Sequence, residues 1–212
     1  MLNRQEYPPV ANLVILTWLA GSGQIGTHTF TMMMRMLYVL SYPVLTKADD
    51  ERIEAYRRIH EPERAGLVRA HVTLVFGVRS IETNDLASQV VALTKQRSAF
   101  EVTFDRTEQA ESPEGVHNVF LLAGEGALAL KSMHQELYAG SLCSELRPGM
   151  PFRAHMTVAT AASRDLLQPA IKGVPKLGLP IRGQISALNM VSLENGTLTD
   201  VGRFQLKQGR GT

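Results

Sequence analysis

One hexad occurs twice in this chain and limits the possible folds more than any other feature. Arg69-Ala70-His71-Val72-Thr73-Leu74 returns 84 positions later as Arg153-Ala154-His155-Met156-Thr157-Val158. Four of the six positions are identical, and the other two exchange one apolar side chain for another. Of the 6 histidines, only these two stand in an H-x-T arrangement. A β-prone segment repeated at that separation implies two similar halves.

Strand geometry says how each copy is used. Side chains alternate between the two faces, so Ala70, Val72 and Leu74 point one way and Arg69, His71 and Thr73 the other. The second copy sets Ala154, Met156 and Val158 against Arg153, His155 and Thr157. The apolar face packs on a core. The opposite face carries a cation, an imidazole and a hydroxyl, groups that are costly to bury alone. Pseudo-symmetric halves would bring the two polar faces together across one cleft.

The rest of the pattern fits an α+β fold, with strands and helices alternating and short hairpin connections mixed in. Leu37–Tyr42 reads as a strand closed by Pro43, and Thr46 with Asp49, Asp50 and Glu51 as a helix start. That helix carries Ile53, Tyr56 and Ile59 inward and ends at Glu61-Pro62. Val72–Val78 is a strand, and Asn84-Asp85 opens a helix with Leu86, Val90 and Leu93 on one stripe. Strands at Phe100–Phe104 and Val119–Leu122 flank a polar loop, and a helix follows from Ala127 to Ala139, ended by Gly140. A strand around Met156, a short helix at Leu166-Leu167 and strands around Ile185, Met190 and Phe204 complete the chain. Gly196 sits in a hairpin turn. The expected architecture is two pseudo-symmetric lobes of mainly antiparallel sheet, with flanking helices, around a central cleft.

Two imidazoles and two hydroxyls converging on one ligand suit phosphoryl chemistry. A neutral imidazole serves as general base while a protonated one serves as general acid, and both states are accessible near neutral pH. Thr73 and Thr157 would donate hydrogen bonds to non-bridging phosphate oxygens. Arg69 and Arg153 add charge-assisted bonds if they reach the cleft. A third metal ligand is missing at any recognisable spacing, so neither a metal nor a cofactor is expected.

On these motifs the chain resembles the two-histidine phosphoesterase superfamily, which includes the 2'-5' RNA ligases and RNA 2',3'-cyclic phosphodiesterases. The resemblance runs from about Met36 to Leu206, and Arg57-Arg58-Ile59-His60-Glu61-Pro62 resembles the family's approach to its first motif. It implies a two-lobed α+β fold and metal-independent cleavage of cyclic or 2'-5' phosphodiesters. His71 and His155 would be the acid–base pair, with His155 activating water and His71 protonating the leaving ribose oxygen. Family members often carry Pro before the motif histidine, where this chain has Ala70 and Ala154. The resemblance also admits RNA 2'-5' ligation. The residues themselves admit a non-catalytic RNA- or nucleotide-binding module built on the same cleft.

The other histidines read more plainly. His134 is a half-buried helix residue, His60 sits at a helix end where the dipole favours it, and His28 belongs to the leader. His117 lies beside a loop that could reach the substrate. Tyr38 and Tyr42 could stack on a base from the first strand, although an aromatic on a half-buried strand is more often core, and Phe76 falls on the apolar face by alternation.

Composition adds limits. Among 212 residues, 22 Lys+Arg against 20 Asp+Glu give a formal charge of +2. That excludes a partner chosen by bulk charge and favours an RNA terminus or small nucleotide gripped in one cleft. The lone Cys143 makes no intrachain disulfide, which suits a reducing, cytoplasmic setting. The apolar run Val10–Ala20 is too short for a membrane span. Residues 1–35 read as a poorly ordered leader or over-long start, and residues 36–212 as a single two-lobed phosphoesterase domain. The chain is expected to act as a monomer, with no membrane and no obligate protein partner.

Overall fold

The computed structural model describes residues 35–208 apart from positions 113, 147, 148 and 150; the leader expected over residues 1–35, but for Arg35, lies outside the described residues. The two halves repeat one order of elements. The first runs β1 (Met36–Ser41), α1 (Lys47–His60), β3 (Val72–Val78), α3 (Thr83–Thr94) and β4 (Phe100–Glu111). The second runs β5 (His117–Ala123), α4 (Ala127–Leu137), β6 (His155–Ala161), α5 (Arg164–Gly173) and β8 (Ala187–Glu194). Short β2 (Val44–Leu45), α2 (Pro62–Leu67), β7 (Ile181–Ile185) and β9 (Thr197–Gln205) fill out the pattern.

Among the described residues, nine strands form one sheet in the order β2-β7-β4-β5-β6-β3-β1-β8-β9. From the centre outward, β6-β5-β4-β7 on one side mirrors β3-β1-β8-β9 on the other, and every ladder between named strands is antiparallel. The two expected lobes are therefore halves of a continuous sheet. The halves meet at a single registered pair, Val72 with Met156. Both motif strands are seven residues long, so they diverge beyond that pair.

The divergence exposes backbone groups that need partners. On β3, the Leu74 carbonyl accepts from His134 Nδ1 at 2.8 Å, and the Phe76 N–H donates to Tyr138 Oη at 3.0 Å. Both partners come from α4 or its C-terminal cap. The helices thus cross between repeats: α4 packs on β3, while α1 packs on β6.

The helices form where the spacing places them. Thr46 caps α1, its hydroxyl accepting from the Asp49 N–H at 3.2 Å. Leu86, Val90 and Leu93 of α3 and Leu130, Met133 and Leu137 of α4 are buried in the main core with Val72, Leu74 and Met156. Ile59, expected to face inward, is 73% exposed. The inward stripe of α1 runs through Ile53, Tyr56 and Arg57. Ile59 lies two residues past Arg57, which is about 200° around the helix. Asn195 and Gly196 both adopt positive φ between β8 and β9, as a two-residue hairpin loop of type I′ needs.

A bulge in each motif strand changes which side chains meet the cleft. On β3, Leu40 pairs with Thr73 but Val39 pairs with Val75, so one residue is extra. On β6, Phe120 pairs with Thr157 but Val119 pairs with Ala159. Leu74-Val75 and Val158-Ala159, again 84 positions apart, are both buried, and alternation resumes inverted. Phe76, read from simple alternation as core, therefore turns into the cleft, and its counterpart on β6 is Thr160.

A second irregularity in the β1–β3 pairing falls at Gly77, whose φ is +47°. A Cβ there would lie 2.8 Å from Tyr38 Oη and 3.0 Å from Tyr38 Cζ. Gly77→Ala combines left-handed strain with that clash and is expected to destabilise the protein by roughly 1–3 kcal/mol, measured by urea unfolding. A loss below about 0.5 kcal/mol would show that the strand relaxes around the new methyl.

Candidate active site

The face of β3 and β6 opposite the core forms the floor of a cavity of about 200 Å³. His71 and Thr73 from β3 and its approach, and His155 and Thr157 from β6, all line it. The structure thus brings together the four residues singled out from the repeat. Neither Thr73 nor Thr157 spends its hydroxyl on a hydrogen bond to another described residue.

The two histidines are held alike. His71 Nδ1 lies 2.6 Å from the Arg69 carbonyl oxygen, and His155 Nδ1 lies 2.7 Å from that of Arg153. A carbonyl only accepts, so each Nδ1 carries the proton and Nε2 keeps the ring's lone pair. The motif strand therefore orients and fixes the tautomer of its own histidine, two residues on. Phe120 lies against His155 with ring centroids 3.9 Å apart, and Tyr42 meets His71 edge-on at 6.0 Å.

Desolvation in the cleft holds the His71 imidazole down to about 3; the bond to Arg69 opposes this, while the Arg64 and Arg57 guanidiniums and His155 add to it. His155 is held down to about 4, first by desolvation, with its bond to Arg153 opposing and the Arg153 and Arg64 charges reinforcing. Both rings are therefore neutral at neutral pH. In the unfolded chain they would take up protons near 6.5, so between that value and about 4 the unfolded state binds more protons. Stability from these groups is complete above pH 6.5 and is lost as pH falls. The urea midpoint is expected to drop between pH 7 and pH 5, and the double variant His71→Ala/His155→Ala to show a smaller drop. An equal drop in the double variant would place the dependence elsewhere.

The arginines divide. Arg153 lines the cavity and is ion-paired with Glu108 of β4. Arg69 does not line it: its guanidinium is bound through both oxygens of Asp50 at 2.9 and 3.0 Å, with the side chain 63% exposed. His117 is also absent from the lining, and its Nδ1 lies 3.9 Å from Glu111; Glu111 and Ser112 of the same hairpin do reach the cavity. His60 packs on Tyr56 at 4.4 Å between ring centroids.

Several lining residues lie outside the two motifs. At the Phe76 end, His134 stacks on Phe152 with centroids 4.2 Å apart and planes 15° apart, and meets Phe76 edge-on at 6.3 Å. His134 is buried, and desolvation lowers its pKa. With its Nδ1 bonded to Leu74, this third imidazole adds a neutral ring to an aromatic wall completed by Tyr138. Tyr38 lines the cavity as a neutral phenol, its pKa pushed up to about 12 by burial. At the opposite end stand Arg64 of α2 and Asn118 of β5. Only a periodicity that allowed for the bulge would have exposed Phe76, and nothing local marks Arg64.

Among the described residues, no three His, Cys, Asp or Glu side chains come together as a metal-binding group, and no helix is long and apolar enough to cross a membrane.

Comparison with known proteins agrees with this architecture. The fold is shared with LigT of E. coli in complex with NADP+, at 17% identity and a TM-score of 0.54, over 83% of this chain and 99% of that one. The same protein in complex with 3'-AMP aligns at 17% identity and a TM-score of 0.53, over 82% and 99%. TT0787 of Thermus thermophilus aligns at 18% identity and 0.54, over 82% and 100%. Usb1 of Kluyveromyces marxianus aligns at 10% identity and 0.51, over 80% and 98%. No curated protein matches the chain by sequence. The model of the 2'-5' RNA ligase superfamily matches residues 45–197, a stretch that contains both H-x-T strands and the helices α1 to α5. With that match across most of its length, and the two-histidine phosphoesterase architecture around it, the chain belongs to the 2'-5' RNA ligase superfamily.

Proposed function

We propose that the protein is a metal-independent phosphodiesterase that hydrolyses 2',3'-cyclic or 2'-5' phosphodiesters of RNA ends or small nucleotides. The observation that carries this reading is the matched pair of histidines, each with Nδ1 tied to a backbone carbonyl and each beside an unengaged threonine hydroxyl, in one cavity. In the proposed step, His155 Nε2 takes a proton from water as its oxygen bonds to phosphorus. The bond from phosphorus to one ribose oxygen breaks, and that oxygen takes the proton held on His71 Nε2. The product is a phosphomonoester with a free neighbouring hydroxyl. Thr73 and Thr157 donate to the non-bridging oxygens, where charge builds in the transition state. The substrate's own negative charge favours protonation of His71, which desolvation in the cleft disfavours.

The cavity's unequal ends support a nucleotide. Phe76, His134, Tyr138 and Phe152 offer aromatic surface for a base to stack on. That LigT has been solved with NADP+ and with 3'-AMP is consistent with this class of ligand. The test is a panel of 2',3'-cyclic mononucleotides, 2'-5' dinucleotides and cyclic-phosphate-ended RNA, with product regiochemistry read out. Turnover is expected to follow a bell-shaped pH profile and to survive EDTA unchanged. Binding without turnover would point to a non-catalytic module, and joining of paired RNA halves in preference to hydrolysis would point to a ligase.

A further inference from the structure

The cleft contains a cation that the two motifs do not supply. Arg64 sits on α2, started by Pro62 directly after α1, and its side chain is 18% exposed where it lines the cavity. A guanidinium has five N–H donors. Among described residues, that of Arg64 makes one hydrogen bond, from Nη1 to Thr160 Oγ1 at 3.3 Å. Its nearest carboxylate is Glu61, 3.8 Å from Nε and so beyond hydrogen-bond distance.

That carboxylate is already committed. Glu61 Oε1 accepts from Nε of the buried Arg57, and Oε2 accepts from Thr160 at 3.2 Å. Arg57 itself bonds Glu61 through Nε, and Glu54 at 3.1 and 3.2 Å and the Val68 carbonyl at 2.9 Å through Nη1. Arg69 is clamped by Asp50 and Arg153 is paired with Glu108. Of the two arginines that line the cavity, Arg64 is thus the one without a hydrogen-bonded carboxylate, and the counter-charge nearest to it is shared. A largely buried charge in that state is costly unless something else meets it.

We infer that Arg64 binds the anionic phosphate of the substrate, as a substrate-binding residue outside both H-x-T copies. This rests on the phosphodiesterase reading of the same cleft. The position suits the role, because the field of Arg64 reaches both imidazoles and lowers the pKa of each. Thr160, the counterpart of Phe76 on the second bulge, orients the guanidinium. The repeat is therefore symmetric where it holds the histidines and asymmetric at its ends, with an aromatic wall on one side and a cation on the other.

The test compares Arg64→Gln, Arg64→Lys and Thr160→Val with the parent protein by two readouts. One is the affinity for orthophosphate and nucleoside monophosphates by calorimetry, and the other is KM and kcat on a 2',3'-cyclic nucleotide. Arg64→Gln is expected to weaken phosphate binding and raise KM by about 10- to 100-fold, the range for hydrogen bonds to charged groups. Arg64→Lys should recover part of that loss, and Thr160→Val should change it by less than about threefold. Unfolding midpoints of all three are measured alongside. The inference is overturned if Arg64→Gln binds phosphate like the parent, if Thr160→Val matches its loss, or if the parent binds no phosphate. Loss of phosphate binding in Arg64→Gln, with a parent that turns over no phosphodiester, supports the inference and defeats the functional reading. Turnover untouched by Arg64→Gln does the reverse.

Discussion

Replacing His71 or His155 with alanine is expected to lower turnover of a 2',3'-cyclic nucleotide by about 10²–10⁴-fold each, the range for loss of a positioned general acid or base. The fold should survive, because both rings are half-buried at the cleft surface, outside the hydrophobic core. The two variants should separate on a second substrate. A p-nitrophenyl phosphodiester expels a leaving group that needs no proton, so a residue acting only as general acid becomes dispensable. His71→Ala should therefore regain most of its loss on the nitrophenyl ester, while His155→Ala stays impaired on both. The opposite split would exchange the two roles, and full activity in either variant would end the assignment.

The largest effect on stability is expected at Arg57. The residue is 1% exposed, and its guanidinium joins Glu61, Glu54 and the Val68 carbonyl at the junction of α1, α2 and the approach to β3. Glu54 also accepts the Ala70 N–H at 2.7 Å, so the network reaches the residue directly before His71. Arg57→Leu leaves Glu54 and Glu61 without the guanidinium they bond, and the fully buried Glu61 then faces only Arg64, at 3.8 Å. The expected cost is about 3–5 kcal/mol, read from urea unfolding. Adding Glu61→Gln to Arg57→Leu should recover part of this, since the stranded charge is then gone. A cost below about 1 kcal/mol, or no recovery in the double variant, would show that water or a shifted carboxylate replaces the guanidinium.

How much of this was legible in the sequence depends on how local each feature is. The H-x-T copies, the helix cap at Thr46 and the apolar stripes of α3 and α4 rest on spacings of a few residues, and the structure has them as read. So do the inward Ala70, Val72 and Leu74. Simple alternation misplaces Phe76 because it holds only while the ladder is regular, and the bulge at Leu74-Val75 is set by pairing with β1, more than 30 residues away. Arg69 shares a face with His71 in an ideal strand, yet it lies before β3 begins and Asp50 of α1 captures it. His134 was placed on its helix correctly, but its reach into the cleft depends on α4 crossing to β3.

The duplication, the polar face of each copy and the pair of imidazoles are written in the chain's own order, because each follows from covalent spacing and the two-residue period of a strand. Tertiary structure decided the rest: that the halves join through one pair, Val72 with Met156, that helices cross between repeats, and that the cleft has an aromatic end and a cationic end. Those outcomes depend on which backbone groups stay unpaired where β3 and β6 part, and on which carboxylate each arginine reaches. Neither is encoded in any short stretch of residues. They arise only when distant segments compete for the same partners.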